Sequence, residues 1–144
     1  MQIALIKKYL ERVFNGPAWH GPSVIETLNK ISQEQAGNSY KDSHSLIEII
    51  GHMTAWRNFV IERLKGNNDF DVSEELNFPK SNDLAAAIAS LKGSQQTLIE
   101  CITGFPEERL REKVGGRTYS FLAMLHGIIH HDLYHLGQIS LLNR

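Results

Sequence analysis

Apolar residues recur at three- and four-residue steps through four long stretches, and none keeps up the period-two alternation of a half-buried strand. Ile3, Ile6, Leu10, Val13 and Phe14 form the first stripe, which Asn15-Gly16-Pro17 stops. A shorter helical piece is predicted from Pro22 to Ile31, with Ile25 and Leu28 as its apolar contacts, and the polar run Ser32 to Ser43 reads as a loop. Asp42 or Ser43 is then predicted to cap a helix with the stripe Leu46, Ile49, Met53, Trp56, Val60 and Leu64, ending at Gly66-Asn67-Asn68. After Pro79, Ser81 or Asn82 is predicted to cap a helix carrying Leu84, Ile88, Leu91, Leu98 and Ile102, closed by Gly104 and Pro106. Beyond Gly115-Gly116 the chain is expected to be helical from about Tyr119 to its end, with Leu125, Ile128, Ile129, Leu136, Ile139 and Leu142 on one face. An all-α four-helix bundle follows, one domain over residues 1–144, and the run Ser32 to Ser43 is long enough for a crossover connection. Trp19, Trp56 and Phe59 are expected in its core.

The same periodicity sorts the seven histidines. His131 and His135 stand four apart, so both project from one face of the last helix. On a wheel of about 100° per residue with Ile128 at zero, His135 falls at about −20° and His131 at about −60°, both bordering the buried stripe. His126 and His130 have the same spacing but fall at about 160° and 200°, on the solvent side. His52 lies at the core edge of its own helix, close in angle to Trp56 and Phe59. A lone histidine at a core edge is ordinarily packing. Two at i, i+4 with a third on another helix make a facial set for a divalent metal, and three neutral imidazoles leave positions open for water or substrate. A zinc protease of the HExxH type with a nearby downstream ligand is excluded, because Asp132 stands where its glutamate would and no acidic residue or histidine follows His135, so the third ligand is expected upstream, at His52.

Composition narrows the function. Fifteen Lys and Arg against 16 Asp and Glu give a net charge of −1, with no excess of positive charge to neutralise a nucleic-acid backbone or an anionic membrane. No run of 18 uncharged apolar residues indicates a membrane span. The first residues lack the small-residue cleavage site of a signal peptide, and the lone Cys101 cannot form an internal disulfide, so a cytoplasmic protein is expected.

Three segments together resemble the DinB-like (DinB/YfiT-like) family of four-helix metalloenzymes. They are Trp19-His20-Gly21-Pro22-Ser23, the helix from His44 through Gly51-His52-Met53-Thr54-Ala55-Trp56-Arg57, and His130-His131-Asp132-Leu133-Tyr134-His135-Leu136-Gly137-Gln138-Ile139. The resemblance implies a bundle with one long crossover and a metal held by His52, His131 and His135. It further implies zinc or nickel as the ion, a homodimer, and a small-molecule substrate. In some relatives that substrate is a low-molecular-weight thiol such as bacillithiol or mycothiol, and other relatives are taken for hydrolases.

The chemistry expected is metal activation of a thiol or of water, with the histidines as ligands. Their second ring nitrogens need acceptors. Glu48, one turn before His52, and Asp132 are the candidates for that task or for general base. The favoured reading of each is nonetheless an ordinary salt bridge, Asp132 with Arg63. Gln95 interrupts its apolar stripe and needs a polar partner, either at the site or on a neighbouring helix. Tyr134 is expected outside the pocket. The rival reading is a non-catalytic metal-binding bundle that pairs through its helices.

Overall fold

The first helix, α1 (Gln2–Asn15), buries Ile6, Leu10, Val13 and Phe14, the stripe that its periodicity sets. α2 is shorter than the Pro22–Ile31 piece expected: it runs Val24–Leu28, and the Ser23 hydroxyl accepts from Glu26 N at its start. A 3-10 turn at Gln33–Gln35 leads to α3 (Leu46–Leu64), and α4 (Glu74–Asn77), α5 (Leu84–Thr103) and α6 (Phe121–Leu142) follow. The computed structural model describes residues 1–143; among these the only extended pairings are the isolated bridges Ala18–Gly21 and Lys113–Ser120.

α1 and α3 each pack on both α5 and α6, so they stand at opposite corners of a four-helix bundle. Joining opposite corners requires the chain to cross the end of the bundle, and residues 29–45 do so as the expected long crossover. Polar side chains fasten this segment. Gln33 Nε2 donates to Asn82 O and its Oε1 accepts from Leu84 N at the start of α5. Asn38 Nδ2 donates to Leu142 O at the end of α6, while Asn38 O and Ala36 O accept from Leu46 N and Ile47 N. Those bonds satisfy backbone donors at a helix start that otherwise lack partners.

The caps differ from the residues expected. α3 is capped by Ser45, not Asp42 or Ser43: its hydroxyl accepts from Glu48 N while the Glu48 carboxylate accepts from Ser45 N. This reciprocal box satisfies two orphan donors, and the spacing Ser-x-x-Glu announces it in the sequence. Asp83, not Ser81 or Asn82, caps α5 through Ala86 N, and the Ser81 hydroxyl accepts from Asp83 N instead.

Leu10, Leu46, Ile50, Met53, Leu91, Leu98, Leu125 and Ile139 are completely buried, each contributing about 1.5–3 kcal/mol by leaving water. Phe59 joins them, and Trp56 is half-buried against them. Trp19, expected in the core, is fully exposed in the turn that closes at Gly21. Arg57 and Arg63 are in the core instead, and nothing in the apolar pattern marks them. Arg63 donates to Gly115 O and Phe70 O and so ties together the two loops at one end of the bundle.

Candidate metal centre

His52 follows Gly51 on α3, and the glycine sets its surroundings. A Cβ on Gly51 would lie 2.5 Å from Pro79 Cγ, so its absence lets Pro79 sit against the helix. That close approach brings Asn77 and Phe78 over His52. Asn77 O accepts from His52 Nδ1 at 2.7 Å, and Asn77 Oδ1 accepts from Trp56 Nε1 at 2.9 Å. The Phe78 ring stacks on His52 with centroids 4.0 Å apart, and His44 also stacks on it at 3.5 Å.

His131 and His135 come from α6, one turn apart. His135 Nδ1 donates to Gln138 Oε1 at 2.7 Å, one further turn along the same face. Both outer imidazoles therefore carry their proton on Nδ1 and present the bare lone pair of Nε2 to the space between the helices. His131 Nε2 lies 3.0 Å from His52 Nε2 and 3.1 Å from His135 Nε2, and His131 Nδ1 is buried without a partner. A single proton on His131 Nε2 cannot serve both neighbours along their lone pairs. A cation can.

The separations agree with that reading. Two imidazole nitrogens about 2.0–2.1 Å from one ion stand about 2.8–3.4 Å apart at angles between right and tetrahedral. The three donor atoms all lie within 4.8 Å of one another. Their protonation also fits. Burial pushes His52 and His135 below the ordinary histidine range, and His131 is held down to about 3 by burial, by its two imidazole neighbours and by the Arg57 cation. The donors are thus neutral near neutral pH, the form that binds a metal.

The sequence matches the family profile of the DinB superfamily over residues 20–139, which takes in all three histidines. The chain belongs to the DinB superfamily. Comparisons with curated proteins and with solved structures give no match.

In this DinB-superfamily chain the two carboxylates named from the sequence are engaged elsewhere. Asp132 is completely buried and bonds Arg57 Nη2, not Arg63. Burial pushes its carboxyl upward against the pull of that guanidinium. Glu48 caps α3 and accepts from Lys80; although burial opposes it, bonds from Lys80 and Ser45 draw its carboxyl down to about 2. The acceptors for the ligand imidazoles are Asn77 O and Gln138 Oε1. Gln138 stands at i+3 from His135, a spacing that could have revealed it. Asn77 contributes a backbone oxygen from the last residue of the one-turn helix α4, which no residue type announces.

Gln95 finds its partner on a neighbouring helix: its Oε1 accepts from Arg57 Nε at 3.1 Å. Tyr134, expected outside the pocket, lines it with His135, the two rings meeting edge to face at 5.0 Å. A cavity of about 640 Å³ opens on the His135 side of the triad, and another of about 390 Å³, lined by Trp56, Met124 and Ile128, on the His131 side. His126 and His130 are exposed on the outer face of α6, apart from the triad. No described helix is long and apolar enough to cross a membrane.

Proposed function

We propose that this protein is a divalent-metal-dependent enzyme acting on a small molecule, either transferring a low-molecular-weight thiol or adding water. His52, His131 and His135 would hold zinc or nickel, since imidazole suits both. When bound, the ion would supply the positive charge that brings a thiol or a water to its anion near neutral pH. The observation that carries this reading is the convergence of three Nε2 atoms, two with their lone pairs fixed by outer hydrogen bonds, beside an open cavity. Three protein donors leave room for a reactant, unlike a closed four-ligand structural site. Asn77 O and Gln138 Oε1 hold two of the rings in the ligating tautomer. Phe78 excludes water from one face of His52. Glu48 and Asp132 remain candidate bases only if they leave Lys80 and Arg57, and a homodimer is proposed from the family resemblance.

Elemental analysis of protein made without a histidine tag tests the reading, comparing the unaltered chain with His52→Ala and His135→Ala. The expected result is about one ion per chain, lost in both variants while circular dichroism keeps its helical signal. Loaded protein is then assayed for hydrolysis of p-nitrophenyl acetate and for conjugation of L-cysteine to a chlorodinitrobenzene. Metal that survives both substitutions overturns the site. Helicity that collapses on chelation makes the ion structural, as in the rival non-catalytic bundle.

A further inference from the structure

Tyr40, Tyr134 and Leu141 keep 66, 67 and 69% of their surface exposed, and all three line the larger cavity. Exposed apolar side chains gathered at one opening mark a binding site more often than scattered ones do. Farther in, the wall is formed by Ile49, Phe78 and the buried edge of His135. Its volume of about 640 Å³ falls within the roughly 300–1,000 Å³ of small-molecule pockets. The wall is also fastened, because Asn38 ties the crossover to Leu142 O beside it.

Its chemistry selects the occupant. Among the described residues lining the cavity none is Lys, Arg, Asp or Glu. A carboxylate, phosphate or ammonium entering there would lose water and meet no permanent opposite charge, since the one ionisable group at the mouth, the His44 imidazole, already faces Glu48 Oε2 at 3.6 Å. Beside His135 the directed donor is Gln138: its Oε1 is taken by His135 Nδ1, which leaves the Nε2 hydrogens for an acceptor, while the Tyr40 and Tyr134 hydroxyls belong to the exposed mouth. We propose that this cavity binds an uncharged organic molecule with a flat or branched apolar body, its carbonyl or ether oxygen directed to Gln138 next to His135. The occupant's role as substrate rests on the metal-enzyme reading above, whereas its binding does not. A thiol bearing several carboxylates would not fit this cavity.

Equilibrium dialysis with β-naphthol and β-naphthoate, which share one ring system and differ in charge, tests the assignment. Chelator-treated protein is used first, so that naphthoate cannot be held by an ion, and zinc-loaded protein second. β-Naphthol is expected to bind at least fivefold more tightly than β-naphthoate to chelator-treated protein. Tyr134→Ala should weaken naphthol at least threefold, and Leu141→Arg, which adds a cation at an exposed position, should shift the preference towards naphthoate. Equal or tighter binding of naphthoate to the unaltered chain overturns the proposal, as does naphthol binding that neither substitution alters. So does light scattering that finds a dimer broken by Leu141→Arg with no naphthol bound by either form, since a second copy then covers the face. Zinc content is read on the same samples: its absence overturns the metal reading, while the naphthol preference alone decides the cavity.

Discussion

Gln138 links two tasks, fixing the tautomer of His135 and facing the cavity, so its removal should be felt first at the metal. Without an acceptor the His135 ring is free to turn and to shift its proton onto Nε2, and loss of such a partner weakens metal affinity by about 10–100-fold. Gln138→Leu is therefore expected to raise the zinc dissociation constant by about that factor in a competition titration with a chromophoric chelator, and Gln138→Glu to restore most of the affinity. The second residue-scale prediction concerns Arg57, completely buried, which stacks on Phe14 and bonds both Asp132 and Gln95. Breaking a buried ion pair leaves one charge without its partner and costs about 3–5 kcal/mol, whereas replacing both members by apolar residues is far milder. Urea denaturation should show that loss in Arg57→Met and recover most of it in the double variant Arg57→Met/Asp132→Leu. Periodicity brought the three histidines to one place because it needs only angle and spacing. It could not give Asp132 its partner: Arg57 and Arg63 lie on the same helix and both are buried, and only the packing of α3 against α6 decides which guanidinium meets the carboxylate.

At the scale of elements, the short α4 segment matters to the site more than its four residues suggest, since it carries Asn77 and leads into Phe78. Its docking depends on Gly51 across from Pro79. Gly51→Ala adds a methyl where the proline ring already lies, and a ring cannot swing aside as a flexible chain end does. Asn77 O must then move from His52 Nδ1. Because alanine favours a helix over glycine by about 1 kcal/mol, the helix itself should not suffer. The expected outcome is a zinc affinity at least tenfold weaker with the helical signal retained. Gly93→Ala on α5, where an added Cβ meets nothing within 4 Å, should instead raise the melting temperature slightly and leave zinc affinity unchanged. The long helices were legible in the sequence because each keeps its stripe over many turns. α4 was not, being one turn long and held by Ser73, Pro79 and Trp56 rather than by any stripe of its own.

For the whole molecule, the bundle and its crossover followed from four stripes and one polar run, but the end that the crossover closes is where folding energy and chemistry meet. Three imidazoles gathered in a poorly hydrated space make the metal-free protein sensitive to acid. Burial lowers all three, His131 to about 3, below an unfolded value near 6.5. Between those limits the unfolded chain binds more protons than the folded one, so this share of stability is whole above about pH 6.5 and lost as pH falls. For His131 alone, the loss at pH 5 is about 2 kcal/mol. Denaturation of chelator-treated protein should accordingly show less stability at pH 5 than at pH 7.5, and His131→Gln should flatten that slope. Carboxylates elsewhere titrate equally in both proteins, so the difference between the two slopes reports the triad. Bound zinc competes with the same protons, and the zinc-loaded protein should hold its stability to lower pH before the ion leaves and the two curves meet.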